Sequence, residues 1–119
     1  DIFAAVVATL GGGWDEELSL LRQKGELTES FYLYGFLAEA AEAVIETIHR
    51  RILSETGTEK RNRVRFSPGY PACDLSQQQP LFALLQPERI GVRLTESMMM
   101  DPEFTVSAVI PLSSDARYW

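Results

Sequence analysis

The residues whose types and spacing could bind a ligand lie in the segment R-F-S-P-G-Y-P at residues 65–71. An arginine just before a rigid turn presents a bidentate guanidinium fork that fits a carboxylate or a phosphate. Gly69 has no side chain and would let a ligand approach the backbone, and Tyr70 supplies an aromatic face. From the residues alone, a purely structural loop is the preferred interpretation of this segment, and a small-molecule site containing Arg65 is the alternative.

A second candidate is a row of carboxylates, Glu39, Glu42 and Glu46, at helical spacing. Such a row is normally a solvated face, and Glu46 can pair with Arg50 at i, i+4. Glu42, however, borders the predicted apolar stripe of the same helix. A partly buried carboxylate at that position would need a cation or hydrogen-bond donors.

The other chemistry-bearing residues are better explained without a site. The glycines at 11–13 lack the G-x-G-x-x-G and Gly-Lys-Ser/Thr patterns of phosphate-binding loops. His49 has no second histidine or cysteine within reach on its helix, so we expect a satisfied or solvated side chain. Cys73 has no partner that marks a nucleophile, and the methionines at 98–100 are expected to pack in the core. We predict neither a metal site nor a catalytic side chain.

The elements that must position these residues follow from hydrophobic periodicity and turn residues. An apolar run predicts a buried strand over residues 2–9, and acidic residues open a helix over about 15–22. A helical apolar stripe over about six turns predicts a long helix that is capped by Thr28 or Ser30 and ends at Gly57.

The C-terminal half changes character. A short helix is predicted over 76–85, followed by strands over 92–100 and 105–112 around a turn at 101–102. A third strand is predicted to begin at 117–119. Helices that are separated in this way from a terminal meander predict an α+β fold, with a long helix and a mainly antiparallel, twisted sheet.

Length and composition exclude several classes of protein. The 119 residues correspond to one domain, and 45% hydrophobic residues suffice for a core. A net charge of −6 argues against nucleic acid as a partner, and no apolar run is long enough for a membrane span. The single Cys fits a reducing, cytoplasmic compartment. Because the chain begins with Asp and stops within a predicted strand, we expect residues 1–119 to be one compact domain truncated at one or both ends.

The segment R-F-S-P-G-Y-P-A-C at 65–73 closely resembles the R-x-x-P-G-Y-P-A-C motif in the activation domain of cobalamin-dependent methionine synthase. The similarity continues in register over most of the chain. The further matching segments are A-E-A at 41–43, L-T-E-S at 94–97, V-S at 106–107 and S-D-A-R-Y at 114–118. This resemblance is far more specific than a lone glycine motif.

The resemblance implies a function. Domains of this family bind S-adenosylmethionine (AdoMet) and dock on the cobalamin-binding domain when the cofactor has oxidised to cob(II)alamin. A flavodoxin or an equivalent protein donates an electron, and the AdoMet methyl group is transferred to cob(I)alamin. The chain would then be part of a methyltransferase of methionine biosynthesis and not a complete enzyme. Reduced cobalt is itself the nucleophile, so no catalytic side chain is required.

Two other functions remain open at this point. The chain could be a free-standing activation protein for another corrinoid enzyme, or a non-catalytic interaction domain that has lost AdoMet binding. Retention of Arg65, Gly69, Tyr70 and Tyr118 together favours binding.

The resemblance also implies contacts with AdoMet, residue by residue. Arg65 would pair with the methionyl carboxylate of the ligand. Ser67, Gly69 and Tyr70 would contact the ligand largely through the backbone of the rigid turn.

Three further contacts are implied outside the turn. Glu42 and Glu59 match acidic positions of the family's site and could serve the ligand's ammonium group or ribose hydroxyls. Tyr118 matches an aromatic residue whose ring face could favour the sulfonium cation. The chain departs from the family where Cys73 is followed by Asp74 rather than proline, so the exit of the loop is expected to differ.

Overall fold

The computed structural model describes residues 2–57, 64–71 and 73–112. Within these residues the strands form two antiparallel pairs, β1 with β4 and β2 with β3. The elements in chain order are β1 (Phe3–Thr9), α1 (Trp14–Gln23), α2 (Leu27–Thr56), α3 (Gln78–Leu85), β2 (Arg93–Leu94), β3 (Met100–Asp101) and β4 (Thr105–Pro111). The α+β class, with its long helix and antiparallel strands, is confirmed.

The core lies between the β1–β4 pair and the C-terminal half of α2. The two strands pair along their full length, from Phe3 opposite Pro111 to Thr9 opposite Thr105. The buried residues of this core share one face of the helix or of the strands: Val6, Ala8, Ile45, Leu53, Ala108 and Ile110. This packing determines which side of α2 faces the sheet, and hence which carboxylates lie near it.

A second, smaller cluster holds α1 against the N-terminal half of α2. It consists of Leu18, Leu37 and Phe104, with Leu10 and Leu33 packed against them. Phe104 immediately precedes β4, so this cluster also connects α2 to the start of that strand. Both ends of the long helix are therefore tied to the β1–β4 pair.

The predicted cap of α2 is wrong, although its end is confirmed. The residue that caps the N-terminus is Glu26, without a side-chain hydrogen bond, and Thr28 and Ser30 lie inside the first turn. The Ser30 hydroxyl is satisfied by donating to the Leu27 carbonyl oxygen at 2.8 Å, as a serine inside a helix often is. At the other end Gly57 adopts the left-handed conformation expected of a helix terminator.

The strand predicted over 92–100 is also wrong. Here β2 and β3 pair with each other through only two residues each. The chain between them turns back because Thr95 closes a loop. The Thr95 N–H donates to the Met99 carbonyl oxygen at 2.8 Å, and its hydroxyl accepts from the Met99 N–H at 3.2 Å. Met98 takes a left-handed conformation in this turn, with φ of 66°. The strand predicted at 117–119 lies outside the described residues.

Candidate functional site

The arginine of the motif is anchored to the sheet by its neighbour Phe66. The Phe66 N–H donates to the Val109 carbonyl oxygen at 2.9 Å, and the Val109 N–H donates back to Phe66 at 2.8 Å. The motif therefore pairs with β4 at a single antiparallel bridge. Because side chains alternate along extended chain, Arg65 and Ser67 project to the same side, opposite to Phe66.

The residues that follow form the motif turn (residues 67–70). The Tyr70 N–H donates to the Ser67 carbonyl oxygen at 3.1 Å, and the Gly69 N–H donates to Cys73 at 3.0 Å. Gly69 has φ of 93°, a left-handed value that favours glycine. The turn predicted from the two prolines and the glycine is confirmed.

This geometry predicts opposite effects for the same substitution at two glycines. Gly69→Ala should destabilise the chain by about 1–3 kcal/mol, because alanine is strained at this φ; the new Cβ would also lie 3.4 Å from Leu75. Gly35→Ala, inside α2 with nothing within 4 Å of the added Cβ, should stabilise it by about 0.5–1 kcal/mol. Urea denaturation measures both changes, and effects of the same sign would contradict the structure.

A cleft of about 340 Å³ opens between the motif turn, α3, β4 and the turn that joins β2 to β3. Its apolar side includes Pro68, Tyr70, Leu75, Val106 and the methionine wall (residues 98–100). Its polar side includes Glu42, Ser67, Gln78, Thr105 and Ser107. The volume is in the range of small-molecule sites.

A smaller cleft of about 220 Å³ adjoins the larger one. The two clefts share Glu42, Ser67 and Tyr70, and the smaller one is also lined by Arg65. Five of the seven residues predicted to bind a ligand are thus brought together, with Gly69 lining the larger cleft. The other two, Glu59 and Tyr118, lie outside the described residues.

Arg65 is held by side chains of α2 and is only 22% exposed. Its Nη1 donates to Glu46 Oε2 at 2.5 Å, and its Nη2 donates to Glu42 Oε2 at 3.5 Å. The hydrogen bond from Arg65 is the main reason that the pKa of Glu46 lies below its usual range; burial opposes it, and Arg50 adds a smaller effect. The guanidinium therefore joins the motif to the carboxylate face of α2.

His49 completes this cluster. The ring is buried, 2% exposed, and its Nδ1 lies 3.0 Å from Arg65 Nη1. Since arginine can only donate, Nδ1 accepts and the ring proton is on Nε2. Among the described residues, Nε2 is the fully buried side-chain polar atom without a hydrogen-bond partner. Burial, and then the positive charge of Arg65, lower the pKa of His49, so the ring is neutral near pH 7.

Comparison with known families shows which family the chain belongs to. A model of the family "Vitamin B12 dependent methionine synthase, activation domain" matches residues 1–119. The chain belongs to this family. The resemblance of the 65–73 segment is thereby confirmed.

Two curated relatives agree with the activation-domain assignment. Methionine synthase of Mycobacterium tuberculosis is 43% identical over 56 residues, which are 46% of this chain and 5% of that protein. Methionine synthase of Mycobacterium leprae is 27% identical over 139 residues, which cover all of this chain and 12% of that protein. The chain thus spans only a small part of the length of these relatives.

A solved structure supports the fold of the activation domain. The crystal structure of the MetH reactivation domain bound to AdoHcy superposes with a TM-score of 0.82 at 24% identity. The match covers 98% of this chain and 41% of the other one. At 24% sequence identity, the similarity between the two structures is evidence for a shared fold.

The candidate site includes residues to which the sequence assigned no role in a site. Glu46 and His49 contact Arg65, and with Glu42 they occupy one face of α2 at i, i+4 and i+7, a spacing that could have indicated them. Gln78 carries no sequence signal, because only the packing of α3 places it in the larger cleft. The expectation that residues 98–100 pack in the core is wrong, since they line that cleft and Met99 is 58% exposed.

The arrangement of side chains suits binding rather than nucleophilic catalysis. Burial and the adjacent Asp74 carboxylate raise the pKa of the Cys73 thiol, which is the opposite of what a reactive thiolate requires. In the described part of the chain, no three His, Cys, Asp or Glu side chains are grouped so as to hold a metal ion. No helix there has an apolar stretch long enough to cross a bilayer.

The buried His49 predicts a pH dependence of stability. Its pKa is lowered in the folded state, so the unfolded chain binds more protons and stability should fall as the pH drops below about 6.5. The lowered pKa of Glu46 acts in the same direction, but only below about pH 4.3. In His49→Asn, the Oδ1 atom can still accept from Arg65 and does not titrate. Thermal unfolding from pH 8 to 5 should therefore be flatter for this variant, and equal slopes would contradict the prediction.

Proposed function

We propose that this chain binds AdoMet and supports the reductive remethylation of cob(II)alamin to methylcobalamin, which reactivates cobalamin-dependent methionine synthase. The observation that carries the proposal is the convergence of Arg65, Glu42, Ser67, Gly69 and Tyr70 on two adjoining clefts. One cleft offers charges of both signs, and the other offers an apolar wall. A ligand with a zwitterionic end and a nucleoside end requires this combination.

The charged end of the ligand fits the smaller cleft. Arg65 is a suitable partner for the ligand's α-carboxylate, and Glu42 is a suitable partner for its ammonium group. Tyr70, which is 64% exposed and common to both clefts, is available to the sulfonium between the two ends through its ring face. Glu59 and Tyr118 remain predicted contacts. The AdoHcy-bound structure of the reactivation domain supports the choice of ligand class.

The methyl transfer itself needs little from this chain. One electron from a flavodoxin-like donor would reduce Co(II) to Co(I), whose electron pair attacks the AdoMet methyl carbon. The carbon–sulfur bond then breaks, and AdoHcy, the demethylated product, is left. The residues of this chain bind and orient the methyl donor, because the cobalamin is carried by a partner domain. In this proposal the reaction takes place in the cytoplasm, and residues 1–119 act as one domain of the larger enzyme.

Calorimetric titration tests the binding step. AdoMet and AdoHcy are titrated separately into the 119-residue chain, with adenosine and methionine as half-ligand controls. We expect saturable binding of both complete ligands and much weaker binding of either half. Absence of binding by AdoMet and AdoHcy would overturn the proposal and favour an interaction domain that has lost its ligand.

A second experiment tests the reaction. The chain is added to cob(II)alamin-loaded methionine synthase lacking its own activation domain, with reduced flavodoxin and AdoMet. Visible absorbance should show methylcobalamin forming only when the chain and AdoMet are both present. Formation at the same rate without the chain would contradict a role in reactivation.

A further inference from the structure

The larger cleft contains a buried amide with unused donors. The Gln78 side chain is 2% exposed although it lines the cleft, and Ser107 Oγ donates to its Oε1 at 2.7 Å. Ser107 is itself 2% exposed, so this hydrogen bond is shielded from solvent. The bond uses the oxygen of the amide and leaves the nitrogen, which carries two N–H groups, without a side-chain partner in the described residues. Because Gln78 lines the cleft, an acceptor that enters the cleft can take up these donors.

The surroundings of Gln78 identify the part of a ligand that it would meet. Gln78 lines the larger cleft but not the smaller one, whereas Arg65 lines the smaller cleft but not the larger one. If the charged end of an amino-acid nucleoside binds at Arg65, its base therefore lies in the larger cleft. There the methionine wall offers polarisable thioethers, which pack well against flat rings.

We propose that Gln78 recognises the adenine base, by donating from its amide nitrogen to a ring nitrogen of adenine. This inference rests on the proposed function and adds a determinant of base specificity to it. Ser107 is a positioning residue, because its hydroxyl holds the amide oxygen and so directs the nitrogen of Gln78 towards the cleft. A pyrimidine base presents a different pattern of acceptors and donors to the same amide.

The first test needs no variant. AdoHcy and a set of deaza analogues, each lacking one ring nitrogen of adenine, are titrated into the chain. One analogue should bind roughly three- to tenfold more weakly than AdoHcy, because it lacks the acceptor for Gln78. Equal affinity for AdoHcy and for every analogue would overturn the inference while leaving the proposed function intact. Absence of AdoHcy binding by the chain would instead be a failure of the proposed function.

The second test assigns the discrimination to Gln78. Gln78→Met keeps the length of the side chain and removes its N–H donors; Gln79→Met makes the same change at the exposed neighbour on α3. The preference for AdoHcy over the sensitive analogue should disappear in Gln78→Met and persist in Gln79→Met. A purely structural role of Gln78 would weaken all ligands equally and keep the preference, which would overturn the inference.

Discussion

Arg65→Ala is expected to weaken AdoHcy binding by about 10- to 100-fold, because charge-assisted hydrogen bonds contribute about 1.5–3 kcal/mol. The proposal places the ligand's carboxylate on this guanidinium, which lies at the smaller cleft with Glu42 and Glu46. The substitution also removes the cation between these carboxylates. Calorimetry on the variant measures the loss of affinity, and circular dichroism confirms that the variant is folded.

A control with the same change in charge is available on α2. The Arg51 side chain is 80% exposed, and its Nε pairs with Glu55 one helical turn away. Arg51→Ala should leave AdoHcy affinity unchanged within about twofold, because exposed pairs of this kind contribute little. Arg65→Lys should fall between wild type and Arg65→Ala, since lysine keeps the charge but loses the planar fork. A folded Arg65→Ala variant with wild-type affinity would remove Arg65 from the site.

Ile45→Ala is expected to cost about 2–5 kcal/mol of unfolding free energy, because it leaves a cavity in the core. Ile45 is fully buried, between α2 and the β1–β4 pair. Domains of this size are stable by only about 5–15 kcal/mol, so the loss is a large fraction of the total. Equilibrium urea denaturation measures it, and Ile45→Val, at about 0.5–1.5 kcal/mol, remains measurable if the alanine variant does not fold.

The neighbouring residue provides the matched control. Val44 is 37% exposed and lies about 100° around the helix from Ile45. Val44→Ala should change stability by less than about 1 kcal/mol, since much of its side chain is already in water and alanine is the better helix former. Similar losses for Val44→Ala and Ile45→Ala would mean that the face of α2 assigned to the core is wrong. The carboxylates of the site would then be misplaced as well.

The parts of the fold that could be predicted from the sequence are those determined by interactions between residues close together along the chain. The length of α2 and its end at Gly57 follow from periodicity and a left-handed glycine, which are local signals. The start of α2 could not be predicted from its hydroxyl residues, because Ser30 is satisfied inside the helix by Leu27. The strand over 92–100 was predicted from its composition, but Thr95 forms a tight loop that composition does not reveal.

The candidate site likewise has a part that is determined locally and a part that depends on how the helices pack. The motif turn could be predicted because its two prolines and Gly69 restrict the backbone locally. The partners of Arg65 on α2 could not, because the meeting of Arg65 with Glu46 and His49 depends on how α2 packs across the sheet. Gln78 reaches the larger cleft only through the packing of α3, so no local pattern identifies it.

The methionine wall makes the larger cleft sensitive to oxidants. Met99 is 58% exposed, and all three thioethers of residues 98–100 belong to residues that line the cleft. Oxidation to the sulfoxide turns such a flexible apolar side chain into a polar, chiral one. Peroxide would therefore make the methionine wall, against which the nucleoside is proposed to pack, more polar and more hydrated. Recovery of that surface would depend on methionine sulfoxide reductases, two enzymes with opposite stereochemical preference.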